Sequence, residues 1–275
     1  MNVRGIRRGS LAALSLALTL GAAAAGARAG TKDADPSQVV PLDRLAPALR
    51  DSVTEVIAEP TFHHKGTPDT FPCQPKIYQA LLYEPVLTLG LWHDIATTPA
   101  RLWQVGPEKF EGTDGAGTTA SWEYAYKSPR LNVMLCTLEH ATPRGNAKLN
   151  GRIVLVVHSA YFRESGGDFW IKHDVEAFVK IDSRGWKAVA RTFRPLIEKL
   201  LEEQVQEGGL FVSLMGRLVV SYPTWASGVC MKQDGVAMPV RTGFRDLVMQ
   251  SRRPDASPGR PQLVENPPAA ATIRR

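Results

Sequence analysis

Two histidines lie on neighbouring strand-like segments of this chain, and histidine is the side chain best suited to acid–base chemistry near neutral pH. His158 belongs to the run Arg152 to Arg163, and His173 belongs to the run Phe169 to Ile181. If Gly166-Gly167 forms the turn between these runs, the imidazoles lie diagonally on one apolar face, where they could orient a ligand or exchange protons. Two core histidines satisfied by hydrogen bonds are the alternative interpretation.

The other polar motifs predict no metal site and no cofactor. His63 and His64 are adjacent on a short strand candidate, so their side chains point to opposite faces and do not share one metal. Cys73 lies in a proline-rich loop without a histidine at a recognisable spacing. The chain also has no Gly-x-Ser-x-Gly elbow and no glycine-rich phosphate loop that precedes a helix.

Two antiparallel hairpins are predicted to position the histidines. The first turns at Ser128-Pro129 and the second at Gly166-Gly167. In both hairpins the expected register collects the large apolar side chains on one face of the sheet. The predicted pairs are Tyr126 with Leu131, Tyr124 with Val133, Trp122 with Leu135, Phe162 with Ile171, Ala160 with His173, His158 with Val175, and Val156 with Ala177.

The segment from Ser183 to Tyr222 has apolar residues at steps of three and four, which predicts a long amphipathic helix. Pro195 predicts either a kink or a new helical start with Thr192 as its cap. Gly208 and Gly209 predict either simple bending or a hinge in the middle of this helix. A one-sided helix of this length needs a wide apolar surface to cover it, and the hairpins supply one.

The fold class that follows is α+β, with a curved antiparallel sheet of about six to seven strands wrapped around the long C-terminal helix. Thirteen side chains on the apolar faces of the sheet and helix are predicted to line a ligand pocket between them, although such stripes are also typical of plain core. They are Trp122, Tyr124, Tyr126, Val133, Leu135, Val156, His158, Phe162, His173, Val175, Phe193, Ile197 and Leu200.

The N-terminus has the pattern of an export signal. Arginines precede an apolar run from Leu11 to Ala25, and Ala27-Arg28-Ala29 has the small residues of a cleavage site. We therefore expect residues 1–29 to be a signal peptide and the mature protein to reach the periplasm or the extracellular space. Cys73, Cys136 and Cys230 would then meet an oxidising compartment, where one disulfide in any of three pairings could form.

The charge distribution argues against a nucleic-acid partner. The formal net charge is +6, but residues 1–29 contain four arginines and no acidic residue, and seven more arginines follow Val240. The part between them therefore has no basic surplus that would bind nucleic acid. Residues 223–275 are rich in proline and arginine, so we expect this tail to be largely disordered, and its arginines could touch an anionic surface weakly.

The predicted element order begins with a leader and short helix over residues 30–59. A strand, two short helices, about six antiparallel strands and the long helix then follow over residues 60–222. This order, the two hairpins and the stripe from Trp186 to Tyr222 resemble the START-like, or helix-grip, superfamily. The resemblance implies an apolar cavity between sheet and helix, and an exported protein that binds a lipid or another apolar or amphipathic small molecule.

Two other functions remain open. A cyclase or hydrolase would use the same pocket, with His158 or His173 as an acid or base. A structural or protein-interaction module would instead have a filled interior and an exposed apolar patch.

Overall fold

The structure is a computed structural model that describes residues 35–141, 148–165, 167–182 and 194–252. Within these ranges the chain forms seven α-helices and eight strands. In chain order they are α1 (Pro36–Val39), α2 (Pro47–Ala58), β1 (Phe62–Lys65), β2 (Asp69–Pro72), α3 (Pro75–Tyr83), α4 (Pro85–Ile95), β3 (Arg101–Gly106), β4 (Lys109–Thr113), β5 (Thr118–Lys127), β6 (Leu131–Ala141), β7 (Lys148–Arg163), β8 (Phe169–Ile181), α5 (Arg194–Ser221), α6 (Pro223–Met231) and α7 (Met238–Gln250), with a 3-10 turn at Leu42–Arg44.

The strands form one open antiparallel sheet in the order β1-β8-β7-β6-β5-β4-β3, and β2 pairs with β8 beyond the end of β1. The predicted α+β class with an antiparallel sheet is therefore confirmed. The sheet has one strand more than the upper predicted number, because the proline-rich loop after β1 contains the short strand β2. None of the described helices is long and apolar enough to cross a membrane.

Helices cover both faces of the sheet. The inner face carries Trp122, Met134, Ile153, Ile171 and Val179, and these residues share one core with α3 to α7. The outer face forms a second core with α2, and its strand residues are Ala125, Val133, Leu135, Val154, Val156 and Phe178. The N-terminal helix thus belongs to the folded part of the chain, where it shields apolar strand residues from water.

α2 covers the outer face because its apolar residues lie on one side. Val53, Val56 and Ile57 are fully buried, at spacings that place them on one helical stripe. At the edge of this contact, Arg152 of β7 lies 2.7 Å from both Glu55 of α2 and Asp182. These ion pairs orient α2 along β7 and β8.

α5 is the long predicted helix, and it crosses the inner face over β1, β2 and β8. The structure describes it from Arg194, with Pro195 in its first turn. The residues before Arg194 lie outside the described ranges, so the choice between a kink and a new helical start at Pro195 stays a prediction. The proposed cap Thr192 lies outside the described residues. The helix continues through Gly209 without a break. At Gly216 the helix backbone approaches Phe71 of β2 so closely that a Cβ atom would lie 2.8 Å from its ring.

The prediction of disorder from residue 223 onward was wrong as far as Arg252. α6 and α7 pack on the other helices, and Trp225, Cys230 and Phe244 are buried in the inner core. The indole nitrogen of Trp225 donates to Asp94 of α4 at 2.9 Å. α6 and α7 each begin with a proline in the first turn, whereas these prolines had favoured loops in the sequence. Residues 253–275 lie outside the described ranges.

The predicted register of the second hairpin was wrong by one residue. His158 pairs with Asp174, and Ser159 pairs with His173. The connection runs over residues 164–168, an odd number, whereas the predicted turn had two residues. A shift of one residue moves every side chain of one strand to the other face.

The register of the first hairpin was also wrong. Tyr124 pairs with Met134 and Trp122 pairs with Cys136, and a bulge between Tyr124 and Tyr126 changes the alternation. A bulge inserts one extra residue and so reverses the faces beyond it. Tyr124 therefore lies on the inner face, and Tyr126 packs against the outer core.

Candidate functional site

The inner face contains a buried polar cluster formed by Tyr78, Ser159 and His173, which we call the inner polar cluster. Ser159 and His173 are cross-strand partners on β7 and β8, and Tyr78 reaches them from α3. The Tyr78 hydroxyl lies 2.7 Å from Oγ of Ser159 and 3.2 Å from Nδ1 of His173. The exposed fractions are 0% for Tyr78, 6% for Ser159 and 2% for His173.

Aromatic packing holds the Tyr78 ring in place. Its ring centroid is 6.0 Å from that of Phe71, 6.1 Å from that of Tyr161 and 5.7 Å from that of His173. The tilted and edge-on geometries are those that aromatic pairs prefer. The hydroxyl is therefore fixed between Ser159 and His173.

Burial controls the protonation of this cluster. It raises the pKa of the Tyr78 hydroxyl well above its usual value, so the phenol stays protonated. Burial also lowers the pKa of His173, although Asp69 acts in the opposite direction. His173 is thus a neutral imidazole near pH 7, with one N–H and one acceptor nitrogen.

One nitrogen of His173 makes no hydrogen bond of normal geometry, although the backbone of Gly209 lies near it and acts to raise the pKa of His173. This atom, Nε2, is fully buried and faces α5, where a Cβ atom on Gly209 would lie 3.9 Å from it. If Nδ1 accepts from the Tyr78 hydroxyl, Nε2 carries the hydrogen and is a donor directed at the helix. Such a donor can bind the oxygen of a hydroxyl, carbonyl or carboxylate group.

Asn132 supplies a second unpartnered group on the same face. It is 0% exposed, and neither its amide oxygen nor its amide nitrogen has a hydrogen-bond partner of normal geometry, although the Tyr83 hydroxyl lies nearby. Asn132 pairs with Val157, two positions along β7 from Ser159. Burying an unpartnered amide is costly, so this residue calls for a water molecule or a ligand.

The structure divides the predicted pocket residues between the two faces. The inner face carries Trp122, Tyr124, His173 and Val175. The outer face carries Tyr126, Val133, Leu135, Val156, His158 and Phe162. Phe193 lies outside the described residues, as do the side chains of Ile197 and Leu200 in the first turns of α5.

The predicted proximity of the two histidines was therefore wrong. His158 lies on the outer face, with Nε2 3.9 Å from Glu176, and His63 lies 2.7 Å from the same carboxylate. Burial disfavours the charged form of Glu176, but the hydrogen bond with His63 and the nearby charges of His63, Lys65 and His158 together outweigh it and lower the pKa of this carboxyl. In the described ranges, no three histidine, cysteine or acidic side chains are placed to hold one metal ion.

Tyr78, Ser159 and Asn132 were not recognised as site residues in the sequence. Asn132 was the one with a detectable signal, because an amide at an inward position of an apolar strand is unusual. The correct register is needed to see that it points inward. Tyr78 gave no signal, since a tyrosine on the apolar side of a short helix is typical of core.

No family model matches the chain, and no curated protein matches it either. Among solved structures, a conserved protein of Geobacillus kaustophilus is 12% identical, with a TM-score of 0.34 over 52% of this chain and 95% of the other. A protein of Rhizobium leguminosarum is 10% identical, with a TM-score of 0.32 over 56% and 96% of the two chains. The protein Ara h 8.0201 is 15% identical, with a TM-score of 0.22 over 52% and 98%. These similarities of fold have low sequence identities and low TM-scores, and the function proposed below rests on the site alone.

Proposed function

We propose that the protein is an exported binding protein for a lipid or another amphipathic small molecule, held between α5 and the inner face of the sheet. The observation that carries this proposal is Nε2 of His173, which is buried beneath α5 and makes no hydrogen bond of normal geometry within the described residues. Buried polar atoms almost always have a partner. A polar group of a ligand inserted beside Gly209 would be that partner.

The surroundings of His173 suit an apolar ligand body. Phe71 of β2 packs edge-on against the imidazole, with ring centroids 5.3 Å apart, and Val175 follows on β8. Met215 of α5 is fully buried in the same core. A molecule with one polar end and an apolar remainder would satisfy the imidazole and keep water away from these side chains.

Entry of the ligand requires α5 to move away from the sheet. Gly209 lies beside Val175 and His173, and the backbone of Gly66 lies against Val205 of α5. Glycine lowers the local cost of bending a helix. We infer that α5 opens near Gly209, which is the hinge alternative for the glycine pair in the sequence.

Native mass spectrometry of the purified protein, followed by organic extraction, tests the binding function. Wild-type protein is expected to carry a bound molecule or to take one up from a total lipid extract. His173→Phe removes the ring nitrogens and should abolish this uptake, whereas His158→Phe on the outer face should keep it. A bare mass without uptake by wild-type protein would contradict the proposal, and so would equal uptake by both variants.

Export is proposed from residues 1–29, which have the charged, apolar and small-residue regions of a signal peptide. N-terminal sequencing of protein from the extracytoplasmic fraction should find Gly30 as the first residue. Protein that stays in the cytoplasm and begins at Met1 would contradict export without affecting the binding proposal.

An acid–base enzyme is the second candidate, because the hydrogen bonds of the inner polar cluster connect a serine hydroxyl to a histidine through Tyr78. Such a chain can pass a proton from Ser159 to His173. Nitrophenyl esters of several chain lengths would detect the hydrolase activity. Turnover that is lost in both Ser159→Ala and Tyr78→Phe would favour the enzyme, whereas no turnover by wild-type protein would leave binding as the function.

A further inference from the structure

A cavity lies at the opposite edge of the sheet from the inner polar cluster. It has a volume of about 590 Å³ and is open to solvent. It lies between the α4–β3 connection, which ends at Arg101, and the β4–β5 turn at Thr113 and Gly115. A volume of this size is typical of sites for small molecules.

Hydrogen bonds fix one wall of this cavity. His93 at the end of α4 donates from Nε2 to the carbonyl oxygen of Ala100 at 3.0 Å, and the Ala100 amide donates to the Thr98 hydroxyl at 3.1 Å. These contacts hold the connection in a defined shape before any ligand arrives. A preformed wall lowers the entropy that binding would cost.

The second wall is the β4–β5 turn, which packs directly on the first. Gly115 has a φ of 70°, and a Cβ atom there would lie 2.8 Å from the Cβ atom of Pro99. Its amide donates to the Thr113 hydroxyl at 3.2 Å. Only glycine combines this backbone conformation with so close an approach, so the two loops meet in one arrangement.

Arg101 gives the cavity a positive charge. It is the one lining residue with a permanent charge, it is exposed, and no carboxylate in the described part of the chain lies within salt-bridge distance of it. The nearby carboxylate of Asp114 is buried and accepts from the amides of Ala116 at 2.6 Å and Thr118 at 3.0 Å. The Asp114 carboxylate is therefore held by its own turn and forms no ion pair with the guanidinium.

We propose that this cavity binds the oxyanion group of a small molecule, either a carboxylate or a phosphate, with Arg101 as the main anchor. The planar guanidinium forms two parallel hydrogen bonds with such groups. The hydroxyls of Thr97 and Thr98 at the rim supply further hydrogen-bonding capacity. This site is independent of the binding function proposed for the inner face.

Isothermal titration calorimetry at low ionic strength tests the proposal, with inorganic phosphate and acetate as separate probes. Low salt is needed because screening weakens contacts at exposed charges. Arg101→Gln should weaken binding of the preferred probe by roughly tenfold or more. Arg130→Gln removes the same charge from an exposed turn outside the cavity and should leave binding unchanged.

A second variant tests the cavity without changing the charge. Thr97 is an exposed lining residue, so Thr97→Phe should fill the cavity while the protein stays folded, and binding should again weaken by roughly tenfold. Saturable binding of phosphate but not acetate, or the reverse, identifies the oxyanion. The proposal is overturned if neither probe binds wild-type protein saturably, if both arginine variants bind alike, or if Thr97→Phe binds as tightly as wild type.

Discussion

The Tyr78 hydroxyl links β7 and β8, because it contacts Ser159 of β7 and His173 of β8 at the same time. Ser159 also lies within hydrogen-bonding reach of the Tyr161 hydroxyl. The Nε2 atom of His173 is buried and makes no hydrogen bond of normal geometry. A polar atom in this state stores a free-energy cost that a suitable ligand removes.

The protonation of His173 makes the stability of the protein depend on pH. The folded-state pKa of His173 lies below the ordinary value of 6.5, with burial as the first cause. The unfolded chain then binds a proton more readily than the folded one, so stability is full above about pH 6.5 and falls as the pH drops toward the folded-state pKa. Below the folded-state pKa, this loss of stability is complete and does not increase further.

Urea denaturation at several pH values measures this effect against His173→Gln, which does not titrate. The free energy of unfolding of wild-type protein should fall relative to that of the variant as the pH is lowered from about 6.5. Asp69 and Arg217 also face His173, and both are retained in the variant. Parallel pH profiles for the two proteins would show that His173 is not buried as described.

Asn132 gives a second prediction at this scale. Its buried amide atoms make no hydrogen bond of normal geometry, so Asn132→Leu replaces a desolvated polar group by an apolar one of similar size. The ligand-free protein should become more stable by about 1 kcal/mol, measured by urea denaturation. A loss of stability would show that the amide has a partner, such as a bound water molecule.

At this scale the sequence predicted His173 as an inward residue, and it missed most of the neighbours of His173. The hydroxyls of Tyr78 and Ser159 come from elements distant in sequence, and a one-residue change in register decides whether Ser159 points inward. The connection over residues 164–168, which has an odd number of residues, sets that register. The sequence pattern Gly166-Gly167 had suggested a turn of two residues. Side-chain identity alone does not contain this information.

At the scale of elements, the contact between α5 and the sheet depends on glycines where the helix backbone approaches a strand. Gly216 lies against the Phe71 ring, and Gly209 lies beside Val175 and His173. A Cβ atom at Gly216 would push the helix outward, whereas one at Gly209 would lie in ordinary contact, 3.8 Å from Val175 and 3.9 Å from His173. The helix therefore sits directly on β2 and β8, where the polar nitrogen of His173 meets it.

Gly216→Ala should destabilise the protein by about 1–3 kcal/mol, because the new Cβ atom would overlap the fully buried Phe71 ring. Gly228→Ala on α6 is the matched control. It has no atoms within 4 Å of its added Cβ atom, so the better helix propensity of alanine should stabilise the protein by about 1 kcal/mol. Thermal denaturation of both variants checks this difference, and equal stabilisation would mean that α5 is not seated closely on β2.

The helix boundaries and strand positions were largely predictable, but the orientation of α5 was predicted only in part. The stripe through Phe211, Leu214 and Leu218 was expected to face the sheet, whereas Met215 and Val219 are the fully buried residues. Phe211 instead packs edge-on against Trp92 of α4, with centroids 5.4 Å apart. α5 has apolar neighbours on two sides, so its buried arc is wider than one stripe.

At the scale of the whole molecule, the sheet lies between two unequal helical layers. α2 covers the outer face, and α3 to α5 cover the inner face with α6 and α7 packed behind them. The sequence did not predict α6 and α7, because each is short and begins with prolines that also favour loops. α6 packs on α4 and α5, and α7 packs on α3 and α6, so α6 limits the directions in which α5 can open.

This arrangement places both proposed sites at opposite edges of one sheet. The inner polar cluster lies under α5 near β1 and β2, and the oxyanion cavity lies beside β3. Ligands at the two sites would not contact each other. Each can therefore be removed by mutation without disturbing the other.

Nitrogen-15 NMR of protein labelled at histidine, with laurate as the amphipathic probe, tests whether a ligand binds beneath α5 at His173. The account predicts that added laurate shifts the Nε2 signal of His173 saturably, because the buried nitrogen gains a hydrogen-bond partner, while the signal of His158 on the outer face stays constant. A His173 signal that does not change at saturating laurate, or a shift confined to His158, would contradict binding beneath α5.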